Sequence, residues 1–159
     1  MVSNFRDRRD RIAWQTIRKR RVPQVFSGHP NDYQELSDLC RSIDFMDAVT
    51  ALLDRFYSYK RRSFFEREPP NGFDDQQRAF LAGVAEFMCR KFDVLPIPEW
   101  TEKPEYFLRE EYDWTDRLTQ MPDAVILLLP KLVPGRRERS TPEFRRRNIL
   151  FEARNLIIV

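Results

Sequence analysis

The sequence predicts a mainly α-helical, single-domain bundle with a basic N-terminal helical arm and an irregular second half rich in proline and aromatic residues. Three observations carry this expectation. Residues 45–57 and 80–92 repeat apolar side chains at the three-four alternation of an amphipathic helix. Clusters of proline and glycine separate these periodic stretches from their neighbours. A chain of 159 residues, 42% hydrophobic and 13% aromatic, holds enough large apolar side chains to offset the entropy of ordering one core, so global disorder is excluded although a third of the residues are charged.

The elements follow in order. Residues 5–22 can form a helix with Ile12, Ala13 and Ile17 on one side and arginines elsewhere, and Pro23 stops it. Residues 22–30, with two prolines and Gly28, read as a linker, which divides the chain into an arm over residues 1–30 and a helical core over residues 31–159. Tyr33, Leu36, Leu39, Cys40 and Ile43 mark a short helix. Asp44 caps the next, whose apolar stripe is Phe45, Met46, Val49, Leu52, Leu53, Phe56 and Tyr57. Lys60, Arg61 and Arg62 at its end suit the negative pole of the helix dipole. After the break at residues 69–72, Asp74 and Gln77 form a capping box for a second long helix carrying Phe80, Leu81, Val84, Ala85, Met88 and Phe92.

Beyond Phe92 the period is lost. Pro96, Pro98 and Pro104 cut the chain, and Trp100, Tyr106, Phe107, Tyr112 and Trp114 supply anchors. Thr101 is placed to cap a short helix reaching Leu108, and residues 122–129 suit a helix or, as an alternative, a strand. Thr141, Pro142 and Glu143 make a helix start leading through Phe144 towards Ile149. Residues 155–159 are apolar and β-branched, suiting a short strand or an interface.

Charge is segregated. Residues 1–22 hold eight basic against two acidic side chains, a net of +6, and residues 135–147 hold six arginines against Glu138 and Glu143, a net of +4. The remainder therefore carries −7 in a chain whose total is +3, with acidic residues concentrated among the aromatics of residues 93–123. The basic groups Arg18, Lys19, Arg20, Arg21, Arg136, Arg137 and Arg139 suit contact with nucleic-acid phosphates. They equally suit pairing with acidic segments of the same chain or of a neighbouring copy.

Several functional classes find no support. Cys40 and Cys89 are too few and too far apart for a disulfide framework or a paired-cysteine zinc site, and both lie in apolar periodic stretches, as buried free thiols do. His29 is the single histidine, which excludes histidine-rich metal sites. The four glycines stand isolated, so no phosphate-cradling loop is formed. Glu110, Glu111, Asp113 and Asp116 cluster without the spacing of a metal site and read as a solvated or arginine-paired face. The N-terminus has no apolar run behind its arginines, and the longest apolar run is far short of a membrane span. The expectation is a cytoplasmic protein with no catalytic residue, cofactor, metal or membrane contact.

The helix over residues 80–92, then Pro98, Trp100 and Thr101, then Pro104 with Phe107 and Leu108, and finally Thr141 and Pro142 with Phe144, Arg145, Arg146, Arg147, Asn148 and Ile149, form a pattern. Across residues 77–151 it resembles a group of small bacterial proteins associated with toxin-antitoxin loci. The resemblance implies an antitoxin-like or regulatory helical protein of the bacterial cytoplasm whose partner is another protein, a toxin or a complex subunit. On this reading Trp100, Tyr106, Phe107, Trp114, Arg145, Arg146 and Arg147 form the docking surface, recognisable by exposed rings. A purely structural account of the same pattern has Trp100 plugging a helix pair and Phe144 anchoring the last helix while its arginines reach carboxylates. Nucleic-acid binding through the arginine clusters is the alternative function. A homo-oligomeric scaffold, in which basic arms grip acidic segments of other copies, is a further one.

Overall fold

A computed structural model describes residues 28–114 and 136–151. The helix expected at residues 5–22, with Arg18, Lys19, Arg20 and Arg21, lies outside the described residues, as do the segments at 122–129 and 155–159. The protein is mainly helical, with one two-stranded sheet among the described residues.

Helix α1 spans Tyr33–Leu39 and starts where the Asp32 carboxylate accepts the Glu35 N–H at 2.9 Å. Helix α2, Phe45–Tyr59, starts in the same way, with Asp44 accepting the Met46 N–H at 3.0 Å. Each side chain satisfies one of the orphan donors of a first helical turn. Helix α2 ends at Lys60, whose φ of 48° is left-handed, so the cation sits at the helix terminus as the dipole favours.

Helix α3, Asp75–Lys91, opens on the capping box read from the sequence. Gln77 N–H donates to Asp74 at 2.8 Å and Asp74 N–H donates to the Gln77 side chain at 3.1 Å. It is less one-sided than its periodicity predicts. Between Ala79 and Cys89 every residue except Phe87 is buried, because α3 is packed on several sides. The Tyr33 hydroxyl of α1 donates to Leu81 O at 2.7 Å, and the second half of the chain packs on α3 as well.

That second half differs from expectation in detail. No helix runs from Thr101 to Leu108. Two 3₁₀ turns, Glu99–Glu102 and Pro104–Tyr106, are separated by Lys103 in an extended conformation, and Pro104 forbids the helical geometry at the residue before it. Thr101 lies inside the first turn, its hydroxyl bound to Pro98 O at 2.8 Å. Strand β1, Tyr112–Asp113, pairs in parallel with β2, Ile149–Leu150, Tyr112 standing opposite Ile149. Between them in sequence come α4, Arg136–Arg139, and α5, Pro142–Arg145. Thr141 occupies the cap position of α5 without a capping hydrogen bond, and the helix stops well before Ile149. Asn148 enters the left-handed region at φ 57° and turns the chain into β2.

The core lies between α2, α3 and this second half. Phe80 stacks on Trp114 with ring centroids 4.0 Å apart and meets Phe45, Phe144 and Phe151 at steeper angles. Among the described residues no helix is long and apolar enough to cross a membrane.

Candidate functional site

The densest group of ionisable side chains begins with Glu86. It lies on the packed part of α3 and is fully buried. A lone carboxylate there would cost several kcal/mol, so the fold brings cations to it. Arg147, itself fully buried, donates from one terminal nitrogen to Glu86 and to Glu143 O at 2.6 Å, and from the other to Thr101 O at 3.0 Å. Arg146 donates from Nε to Glu86 at 2.9 Å and from a terminal nitrogen to Glu102 at 3.1 Å. Arg90, one turn further along α3, reaches the other oxygen of Glu86 at 2.7 Å and Glu143 at 3.5 Å. The Phe107 ring covers the group, with the guanidinium carbons of Arg146 and Arg147 at 5.3 and 5.0 Å from its centroid.

Local geometry explains why these residues meet. Phe144 and Arg147, three residues apart, face Gly83 and Glu86, which are three apart on α3. Phe144 sits directly on Gly83, where a Cβ would stand 2.8 Å from the ring, so only glycine allows α5 this close. The Asn148 side chain then donates to Leu108 O at 2.6 Å, and Leu108 N–H donates to Arg147 O at 3.3 Å. These bonds join the two segments just before their strands pair.

Three carboxylates thus face three guanidiniums. Burial pulls the Arg147 guanidinium below its ordinary pKa, against the hydrogen bond it donates to Glu86, which supports its charge. The hydrogen bond from Arg146 holds Glu102 below the usual carboxylate range and raises Arg146 in turn. Chemically this is a charge-balanced clamp joining α3, the 3₁₀ turns and the end of the chain's described part. Each charge is engaged by its neighbours, which is the arrangement of a structural tie.

The residues expected to form a docking surface are largely spent inside. Trp100 is buried, its indole N–H donating to Phe65 O at 2.9 Å, and its ring meets Tyr33 and Tyr106. Tyr106 and Trp114 are fully buried, and Phe107 is half-buried against the clamp. Exposed rings at Trp100, Tyr106 and Trp114 are therefore corrected to core rings. The reason is that the neighbouring prolines fold this segment back onto α3. Arg147 is internal, Arg145 is half-buried, and Arg146 is part-exposed yet engaged at both ends. Arg136, Arg137 and Arg139 form α4.

His29, Glu110 and Glu111 are exposed. Among the described residues no group of three or more histidine, cysteine or acidic side chains is placed to hold a metal ion. Cys89 is buried and Cys40 half-buried. Both are free thiols, and burial pushes each up to about 11.

Sequence reasoning passed over a second feature. Tyr59, the last residue of α2, and Leu95, four residues beyond α3, stand 51% and 58% exposed. Lys60 Nζ lies 5.5 Å from the Phe92 centroid, and the Tyr57 and Phe92 rings are 5.5 Å apart. The guanidinium carbons of Arg55 and Arg61 lie 5.3 and 5.6 Å from the Tyr59 ring centroid. The signal was present in the run from Tyr59 to Arg62, which dipole complementarity alone explained away.

Comparisons with protein-family models, with curated proteins and with solved structures give no match to this chain.

Proposed function

We propose that this chain is a non-catalytic binding protein, antitoxin-like or regulatory, that docks a protein partner in the bacterial cytoplasm. The observation that supports this reading is the Glu86 clamp. The side chains best suited by type to acid-base or electrostatic chemistry neutralise one another in a packed interior, and their yield is rigidity. They tie the irregular second half to α3, so that a fold with many 3₁₀ turns holds one surface shape. A preordered surface lowers the entropic cost of association.

The test is affinity purification of the tagged full chain from its native host at moderate salt, with and without nuclease. A stoichiometric protein that survives nuclease is the expected result. Nucleic acid recovered without protein, and lost on nuclease treatment, would replace this reading with one in which the arginine clusters bind phosphates.

A further inference from the structure

Trp100 meets two tyrosines in the core. Its ring centroid is 5.9 Å from that of Tyr33 and 5.0 Å from that of Tyr106, and all three side chains are buried. As packing, the two contacts are alike. What sets the tyrosines apart is where their hydroxyl protons point. The Tyr33 hydroxyl donates to a backbone carbonyl, Leu81 O, at 2.7 Å. The Tyr106 hydroxyl donates to the Glu68 carboxylate at 3.4 Å, and the Glu68 side chain stands 46% exposed. A carbonyl oxygen is too weak a base to take up a proton, whereas a carboxylate accepts one and, at the surface, passes it on to water.

This difference bears on one-electron chemistry, because indole and phenol rings give up a single electron far more readily than phenyl or aliphatic groups. A phenol that loses an electron becomes a strong acid, so tyrosine is easily oxidised only where its proton has an acceptor. The Trp100 indole N–H donates to Phe65 O at 2.9 Å, another carbonyl, so Trp100 on losing an electron keeps its proton and remains an oxidant for its neighbours. The Lys103 ammonium, 2.6 Å from Glu68, holds that carboxylate below the usual range, which keeps it ionised and free to accept at neutral pH. The Arg78 guanidinium, 5.1 Å from the Tyr106 ring centroid, opposes a positive charge on the ring and so favours loss of the proton together with the electron.

We infer that Tyr106 is a redox-active tyrosine, which drains one-electron oxidation of Trp100 out of the core by handing its proton to Glu68. The co-reactant is a one-electron oxidant of the metal-centred or radical class. It takes one electron from Trp100 and is itself reduced by one. The Trp100 radical cation then takes an electron from Tyr106, the Tyr106 O–H bond breaks, and the proton passes to the Glu68 carboxylate. Neutral Trp100, a neutral tyrosyl radical and a protonated Glu68 result. Tyr33 is bypassed, since its proton has no base to receive it. This role is independent of the binding reading above.

The test is flash-quench oxidation of the full chain with photogenerated tris(bipyridine)ruthenium(III), followed by transient absorption and by electron paramagnetic resonance of freeze-trapped samples. In the parent, tryptophan radical is expected to convert into tyrosyl radical at a rate independent of protein concentration. Tyr106→Phe, which retains the ring, should remove the part of this conversion that Trp100 carries, the same fraction that Trp100→Phe removes. Glu68→Gln should slow that part, and Tyr33→Phe should leave it unchanged. Circular dichroism verifies that each variant is folded, and if Trp100→Phe is not, Tyr106→Phe and Glu68→Gln decide the matter. Conversion undiminished in Tyr106→Phe, an equal loss in Tyr33→Phe, or the parental rate in Glu68→Gln would each overturn the inference.

Discussion

Replacing Glu86 by leucine should destabilise the protein more than replacing its buried partner. In Glu86→Leu, Arg147 stays fully buried with its charge unpaired, held only by the Glu143 and Thr101 carbonyls. Removing one member of a buried pair costs about 3–5 kcal/mol. In Arg147→Met, Glu86 keeps Arg90 and Arg146. The loss is then mainly two carbonyls without a donor and a weakened ion pair, about 2–3 kcal/mol. The double variant leaves no unpaired charge between the two positions, so its cost should be about that of Arg147→Met alone, well below the sum of the singles. Urea unfolding followed by the fluorescence of the buried Trp100 and Trp114 reads these differences. At a slope of about 2 kcal/mol per molar urea, Glu86→Leu should lower the midpoint by about 2 M. A loss in Glu86→Leu of under about 1 kcal/mol, or strict additivity in the double variant, would refute the clamp as the tie between the two halves.

Two further outcomes follow from the same geometry. Gly83→Ala forces a Cβ to 2.8 Å from the Phe144 ring and should cost about 2–3 kcal/mol, with part recovered when Phe144→Leu is added, as thermal unfolding of the three variants would reveal. The Arg146 hydrogen bond depresses the Glu102 pKa from its ordinary 4.5, so the stability this carboxylate contributes is present above pH 4.5 and lost as pH falls through the depressed value. Glu102 is 58% exposed, which limits the effect to under about 1 kcal/mol, and urea midpoints measured across this pH range should converge between the parent and Glu102→Gln.

The helices were legible because local chemistry determines them. Asp44 and the Asp74 and Gln77 pair define helix starts within four residues, and the apolar period from Phe45 to Tyr57 needs no knowledge of the rest of the chain. The structural account of Trp100 and Phe144 also matches the fold, where one plugs beside Tyr33 and the other seats on Gly83. The exposure expected of Trp100, Tyr106 and Trp114 does not match, since burial depends on how prolines return the chain to α3, and that is a long-range property. Glu86 carried a usable signal that was missed. It is an acidic residue inside an otherwise apolar stretch of helix, and such a residue demands a cation from elsewhere. Which arginine supplies it could not be read locally, because Arg145, Arg146 and Arg147 are equivalent until the turn at Asn148 sets their directions.

The separation of Glu86 and Arg147 along the chain, 61 residues, also has a meaning in time. At a synthesis rate of about 5–20 residues per second, the acid emerges about 3–12 s before its cation. Through that interval Glu86 has only Arg90 of its three cations, and α3 lacks the second half of the chain that packs on it. An apolar helix left open in this way is the kind of surface that chaperones cover, and its full ion-pair set is complete only once Arg147 has been made.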